Sequence, residues 1–294
     1  MTSRARTIYA VGAVFALLAI AASVLHAREA WFPPPRNPER LLYLRNDKAA
    51  RRVFLSFDAL AADVYWIRTI QHYGRDRKSR RETGRFELLQ PMLDLTTTLD
   101  PYFLIAYRFG AIFLAMPAPD GPGRPDQSIA LLEKGLTSNP ARWQFAHDIA
   151  FIHYWYTGDY AKAAEWFERA ATMPHAPVWI APLAATTKAQ GGNRDGARQM
   201  LVELLSSSSE EYIRNAAQRG ITQLKALDSI DELNGLIERF HTVRGHYPTD
   251  WREIFPNGLP ADDTGAPFVY DPVTHKASLS PNSTLAPLPK PFRK

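Results

Sequence analysis

The residues that could carry chemistry in this chain are eight histidines, and there are no cysteines. The missing cysteines exclude a disulfide framework, a thiol nucleophile and cysteine-ligated zinc. No two histidines are four residues apart. The His-Glu-x-x-His pattern of zinc hydrolases, the Gly-x-Ser-x-Gly turn of serine hydrolases and the Gly-x-x-x-x-Gly-Lys phosphate loop do not occur. We therefore expect a protein that is not an enzyme and that carries no cofactor and no metal.

One pair of acids is a second candidate site. Asp262 and Asp263 are adjacent, and their carboxylates could ligate calcium. A calcium loop needs further oxygen ligands at fixed spacing, and none is evident here. The pair is more typical of a turn, but the sequence leaves both interpretations open.

Charge and composition restrict the partners. The formal net charge of the 294 residues is only +5, which is too small and too dispersed for a typical nucleic-acid-binding surface. With 7 Trp, 15 Phe and 12 Tyr, the chain has far too many large apolar groups to be disordered throughout. We expect neither a nucleic-acid partner nor a small-molecule substrate, and we look instead for a surface that binds protein.

The N-terminus predicts the compartment. Arg4 and Arg6 precede an uncharged run, Ile8–Leu25, of 18 residues, which as a helix rises about 27 Å and so matches a bilayer core. Arginines on this side stay in the cytoplasm, which places the rest of the chain outside. We favour a signal anchor in a bacterial inner membrane with the body in the periplasm. Cleavage after Ala27, which gives a secreted or periplasmic protein, is the alternative.

The body of the chain shows helical periodicity. In the first such stretch, apolar residues fall on one predicted stripe, at Leu55, Leu60, Val64, Ile67 and Ile70. Further along, small residues recur at Ser128, Ala163 and Ala197, with separations of 35 and 34 residues. Large residues recur in phase at Leu132, Phe167 and Leu201. Two helices cross closely only where a small residue sits between them, and a large residue then fills the gap to the next pair.

A local motif accompanies this period. Gly158-Asp159-Tyr160 precedes a helix that contains Ala163, an aromatic residue at Phe167 and a second alanine at Ala170. The motif resembles the tetratricopeptide repeat over about residues 50–205. The resemblance implies stacked helix pairs that form an α-solenoid, and such stacks serve as protein-binding scaffolds.

The repeat phase predicts which residues line a partner-binding groove. Aligning the first helices on the 158–170 motif turns eight side chains toward that groove, and these are Leu104, Tyr107, Phe145, Asp148, Ile152, Trp155, Tyr156 and Trp179. A rotation by one residue presents His147 and Phe151 instead. Because Trp155 and Tyr156 are adjacent, one narrow stripe cannot bury both, so we expect at least one to face solvent.

The C-terminal part changes character near Gly245. Gly245-His246-Tyr247-Pro248 follows a long helical pattern, and two short strands are predicted at 268–270 and 277–279. Together with the segment 259–270, this arrangement resembles the C-terminal part of type II secretion pseudopilins. The intervening body of some 200 residues and the missing prepilin cleavage site argue against a pilin.

We therefore expect a mainly α protein with a single transmembrane helix, a tetratricopeptide-like α-solenoid and a small α+β hairpin module. The predicted parts are an anchor at 1–27, a proline-rich stalk at 28–40, repeats at 41–205, further helices at 206–244, the hairpin module at 245–280 and a disordered tail at 281–294. The predicted function is that of an anchored scaffold that binds protein partners in envelope complex assembly. The alternative is a permanent accessory subunit of a larger membrane, secretion or pilus-like complex, and an enzyme with an unrecognised site is the least favoured interpretation.

Overall fold

The computed structural model describes residues 3–31, 57–79 and 85–289. The chain divides into two compact units, Met1–Tyr43 and Leu44–Lys294. In the first unit a single helix, α1 (Ser3–Trp31), is described. The stalk was predicted to begin at residue 28, but the helix continues to Trp31, two residues before the first of three prolines. Proline disfavours a helical conformation in the residue before it, which is consistent with a helix that ends here.

Within the described parts of the chain, no helix is both long and apolar enough to cross a bilayer. The anchor at 1–27 therefore stays a prediction from the sequence. The rest of the predicted stalk, residues 32–40, lies outside the described residues.

The second unit is mainly helical, as predicted. Its described helices pack in consecutive pairs, and most pairs also contact the next one along the chain. They are α2 (Asp58–Lys78), α3 (Leu89–Leu99), α4 (Leu104–Ala115), α5 (Pro125–Ser138), α6 (Trp143–Ile152), α7 (Tyr160–Ala171), α8 (Ile180–Gln190), α9 (Arg194–Ser207) and α10 (Glu211–Arg244).

The repeat period governs the packing of the second helix of each pair. Helices α5, α7 and α9 begin at residues 125, 160 and 194, and the small residues Ser128, Ala163 and Ala197 are completely buried in them. The large residues of the period are buried too, at Leu132, Phe167 and Leu201. Ser128 also donates a hydrogen bond of 2.8 Å to the Ala111 carbonyl oxygen of α4.

Turn residues explain where these helices begin. The Asp159 carboxylate accepts a hydrogen bond of 3.0 Å from the Lys162 N–H, and the Asn193 side chain accepts one of 2.9 Å from the Gly196 N–H. Both residues are N-caps, which satisfy backbone donors that a helix start leaves unpaired. Gly158 precedes the first cap with a φ of +70°, a left-handed conformation that glycine adopts without strain.

Helix α2 differs from the predicted stripe. Its buried face consists of Ala61, Ala62, Tyr65, Thr69, His72 and Tyr73. Leu60, Val64, Ile67 and Ile70 lie on the opposite side and are exposed. The spacing correctly predicted a helix, but the face that packs on α3 consists of small, polar and aromatic residues and not of the apolar stripe. The fifth residue of the stripe, Leu55, lies outside the described residues.

The C-terminal part contains a two-stranded hairpin, but one long helix occupies most of the region 206–244, where several helices were predicted. Helix α10 runs unbroken for 34 residues and ends at Gly245, whose φ is +76°. A single turn of 3₁₀ helix (Trp251–Glu253) follows, and strands β1 (Val269–Asp271) and β2 (Lys276–Ser278) form an antiparallel pair. The buried Trp251 indole N–H donates to the Phe268 carbonyl oxygen at 2.8 Å, which ties the turn to the hairpin.

The tail prediction was wrong for residues 281–289. Leu285 is buried, and the Gln223 side-chain amide of α10 donates hydrogen bonds to the Leu285 and Pro287 carbonyl oxygens at 2.7 and 2.9 Å. Arg219 donates another to the Ala286 carbonyl oxygen. The proline-rich composition suggested disorder, but backbone acceptors held by α10 and one leucine in the core order this segment. Residues 290–294 lie outside the described residues.

Candidate functional site

The predicted groove residues do not form one surface. Tyr107, Phe145 and Ile152 are buried, which contradicts their predicted outward position. The Tyr107 and Phe145 rings meet edge to face at 5.2 Å, and both rings lie against Gly135 of α5, where a methyl group would be only about 3 Å from them. These side chains are the core between neighbouring helix pairs.

Two further predicted residues, Leu104 and Tyr156, are half-buried and pack against the same core. Trp155 and Trp179 are exposed, with 53% and 41% of their surfaces accessible. The expectation that one of the adjacent pair Trp155 and Tyr156 faces solvent is thus confirmed, and that residue is Trp155.

Asp148 occupies a polar position between two helix pairs. Its carboxylate receives two hydrogen bonds from the Arg108 guanidinium of α4, from Nε to Oδ2 at 2.5 Å and from Nη2 to Oδ1 at 3.0 Å. Oδ1 also lies 3.0 Å from Nδ1 of His147. The hydrogen bond to Asp148 raises the pKa of Arg108, so this arginine is charged at all physiological pH values. A bidentate pair of this kind fixes the orientation of α4 relative to α6.

His147 lies between two tryptophans. Its ring meets Trp143 and Trp179 edge to face, at centroid distances of 5.9 and 5.6 Å, and the two indoles are 6.4 Å apart. The buried Phe167 ring of α7 also contacts the His147 ring, at a centroid distance of 5.4 Å. The alternative rotation of α6 presents His147 and Phe151, and both of these side chains are half-buried.

Trp155 lies in an irregular helical turn. After Ile152 the chain forms one π turn, His153–Thr157, and ends at the left-handed Gly158. The π turn inserts an additional residue, which shifts the side chains that follow relative to α6. The Trp155 ring lies 6.2 Å from Phe151 and 5.3 Å from Tyr154. A helical wheel with a constant angle per residue does not account for such a turn.

Sequence reasoning missed two exposed residues of α4. Ile105 and Phe109 are one turn apart on the same helix face, each with about half of its surface accessible, and Arg108 lies beside them. The small residues of α4 are the signal that could have shown which face of the helix is packed. Ala106, Gly110 and Ala111 mark the packed face, and a Cβ on Gly110 would lie 2.4 Å from a Leu93 methyl carbon.

Helix α4, helix α6 and the π turn after α6 thus present both apolar and charged side chains. We call this set the α4–α6 surface and define it by Ile105, Arg108, Phe109, Asp148 and Trp155. It combines exposed apolar rings with a fixed ion pair. Large aromatic side chains and arginine are the residue types that dominate protein-binding hot spots.

Asp262 and Asp263 form a turn. The Asp262 Oδ1 accepts hydrogen bonds from the Thr264 N–H at 2.8 Å and the Ala266 N–H at 3.1 Å, and Oδ2 accepts one from Ser283. Asp263 pairs with Lys225 of α10 at 2.7 Å. Throughout the described ranges there is no cluster of three or more histidine, aspartate or glutamate side chains that could hold a metal ion.

Comparisons with known proteins returned no match for this chain, whether to a family model, to a curated protein or to a solved structure.

Proposed function

We propose that this protein is a membrane-anchored scaffold of tetratricopeptide type that binds a polypeptide partner in the cell envelope. The observation that carries the proposal is the α4–α6 surface. Exposed Phe109 and Trp155 lie on two neighbouring helix pairs, and the Arg108–Asp148 ion pair connects those pairs. A helical repeat stack presents such residues on a rigid frame, which lowers the entropic cost of binding.

The ion pair supports a protein partner over an apolar small molecule. Both Asp148 oxygens are engaged, but the guanidinium is partly exposed and has further N–H donors. Such donors are suited to carbonyl or carboxylate oxygens of a peptide that lies across the exposed rings. We expect the aromatic rings to supply most of the affinity and the arginine to set the orientation.

The proposed location is the one that the sequence predicts, an inner-membrane anchor with the body in the periplasm. The uncharged run between Ile8 and Leu25 and the preceding arginines support an anchor with the body on the outer side of the inner membrane. A reporter that is active only outside the cytoplasm, fused after residue 40, tests the orientation. An inactive fusion overturns it. N-terminal sequencing of the purified protein separates an anchor from a signal peptide, because cleavage gives a chain that starts at Arg28.

The binding proposal is tested by crosslinking in membranes followed by purification. We compare the wild-type chain with Trp155→Ala, because Tyr156 packs on the core and its replacement could alter the fold. Tyr212→Ala is the matched control, since Tyr212 is an exposed aromatic residue at the start of α10. We expect a partner that is recovered with wild type and Tyr212→Ala and lost with Trp155→Ala. Equal recovery with all three, at equal folded content, contradicts the proposal.

A further inference from the structure

The π turn between α6 and α7 contains a buried histidine. His153 leaves only 8% of its surface accessible, whereas Trp155, two residues later in the same turn, leaves 53% accessible. Single π turns are rare, and they are frequent at functional sites. This one places an ionisable group inside the body and an exposed indole on the same short stretch of backbone.

The hydrogen bonds of the turn assign the protonation state of His153. The Thr157 hydroxyl donates its only proton to the His153 carbonyl oxygen at 3.0 Å, so toward other groups it acts as an acceptor. The His153 Nδ1 atom lies 3.4 Å from that hydroxyl oxygen in a weak hydrogen bond, which assigns the ring proton to Nδ1. The Gly158 and Asp159 N–H groups donate to the same carbonyl oxygen and complete the closed turn.

The helices that pack against the π turn surround the imidazole with charges of both signs. Helix α5 contributes Glu133, helix α7 contributes Lys162 and Glu165, and Asp159 lies in the turn before α7. The three acids favour a protonated imidazole, and Lys162 opposes it. Burial is the largest effect, and it lowers the pKa of His153 below its ordinary value. The imidazole is therefore neutral near pH 7 in the closed turn.

We infer that this π turn is a pH-sensitive switch in which protonation of His153 opens the turn and moves Trp155. The proton binds to Nε2, because Nδ1 already carries one. A charged imidazole is costly where water has little access, and an open turn hydrates it. His153 and Trp155 share one turn of backbone, so opening changes the contacts of the Trp155 ring with Phe151 and Tyr154, which are now 6.2 and 5.3 Å away.

The direction of the switch follows from the lowered pKa. His153 contributes stability to the closed turn that is fully present above its ordinary pKa of about 6.5, and this contribution is lost as the pH falls toward the lowered value. Acidification therefore shifts the population from the closed to the open turn. For a protein that binds its partner through Trp155, acid weakens binding, and this last consequence rests on the proposed function.

Fluorine NMR of the full-length chain in detergent micelles tests the switch, with 5-fluorotryptophan at all seven tryptophan positions. The Trp155 resonance is identified by its loss in Trp155→Phe. We expect it to shift between about pH 8 and pH 5 with a midpoint below about 6.5. His153→Asn keeps an N–H donor near the position of Nδ1 but takes up no proton, so it should abolish the shift. His175→Asn, at an exposed histidine with a φ of +58° that asparagine tolerates, should leave the shift unchanged.

A second variant keeps the test independent of the histidine replacement. Thr157→Val has nearly the same shape as wild type but lacks the hydroxyl that holds the His153 ring and carbonyl oxygen. Its closed turn should be less stable, so a smaller degree of protonation opens it. We expect the midpoint of the Trp155 shift to move to higher pH, and an unchanged or lower midpoint counts against the switch.

Two further results overturn the inference. A Trp155 resonance that stays fixed from about pH 8 to pH 5 shows that the turn does not open, and an equal shift in His153→Asn shows that another group causes it. Partner recovery by crosslinking separates this inference from the proposed function. If the resonance shifts but no partner is recovered at any pH, the switch stands and the binding proposal is wrong. If a partner is recovered and the resonance stays fixed, the binding proposal stands and the switch is wrong.

Discussion

The Arg108 guanidinium and the Asp148 carboxylate join helices α4 and α6 through two parallel hydrogen bonds across 40 residues of sequence. The carboxylate is largely shielded from solvent, whereas the guanidinium is partly exposed. One ion pair therefore fixes the angle between two helix pairs and leaves the Arg108 guanidinium partly accessible to solvent. This geometry underlies the proposed binding surface.

Replacing Arg108 with alanine should destabilise the body by about 1–2 kcal/mol, because among the described residues it leaves the shielded Asp148 carboxylate with His147 as its remaining side-chain partner. Arg77→Ala is the control. The pair of Arg77 and Asp120 is about half exposed on both sides, and its loss should cost less than about 1 kcal/mol. Thermal unfolding followed by circular dichroism compares the two. Equal losses of stability would show that shielding of Asp148 does not matter.

Ala163 lies at the crossing of α7 with its neighbours and is completely buried. Ala163→Leu should therefore overpack this contact and cost about 1–3 kcal/mol. Ala161→Leu, two residues earlier on the exposed side of the same helix, should have little effect. The midpoints of thermal unfolding decide the question. An unchanged midpoint for Ala163→Leu contradicts the repeat phase.

Two glycines should respond to alanine in opposite directions. Gly235 lies inside α10, and an added Cβ meets no atom within 4 Å, so Gly235→Ala should stabilise the protein by about 0.5–1 kcal/mol through helix propensity. An added Cβ on Gly110 lies 2.4 Å from a methyl carbon of the buried Leu93, so Gly110→Ala should cost about 1–3 kcal/mol. Urea unfolding of both variants measures whether each change raises or lowers the free energy of unfolding. If both changes shift it in the same direction, the packing described for α4 is wrong.

The Asp262 turn predicts a pH dependence. Burial alone raises the pKa of the Asp262 carboxyl, but hydrogen bonds from Ser283, Thr264 and Ala266 outweigh it, and the pKa lies below its usual range. A lowered folded-state pKa contributes stability that is present above the unfolded value, near pH 4, and is lost as the pH falls through the folded value. Asp262→Asn should therefore be less stable than wild type at pH 7, and the difference should shrink below about pH 4.

Thermal midpoints between pH 7 and pH 2.5 measure this difference. Asp263→Asn is the control, since that side chain is far more exposed than Asp262 and pairs only with Lys225 in the described structure. A gap between wild type and Asp262→Asn that stays constant down to pH 2.5 would show that the turn does not depend on the ionised carboxylate.

The sequence predicted those parts of the fold that rest on local signals. The helix start after Gly158-Asp159-Tyr160, the glycine at the end of α10 and the phase of Ala163 follow from short-range chemistry and a regular period. The helical class and the small hairpin followed in the same way. These features depend on a few neighbouring residues, so a single sequence suffices to find them.

The sequence did not predict which side of the first helix in each pair is buried. Tyr107 and Phe145 look like binding residues by type, but the small residues opposite them, such as Gly135, make room for their rings in the core. The π turn at 153–157 shifts Trp155 out of a regular wheel. Helix α2 offered two apolar faces, and only the packing of its small residues on α3 decides which one is buried. Contacts between distant segments set all three outcomes.

The most direct test of the account is site-specific photocrosslinking at the α4–α6 surface in living cells. A photoreactive phenylalanine analogue replaces Trp155 in one strain and the even more exposed Tyr212 in another, and both proteins are purified after irradiation. We predict a discrete adduct with one envelope protein from position 155 that weakens when Arg108→Ala is added, and no such adduct from position 212. An absent adduct at position 155, or the same adduct from both positions, would contradict the claim that this protein works as a scaffold through the α4–α6 surface.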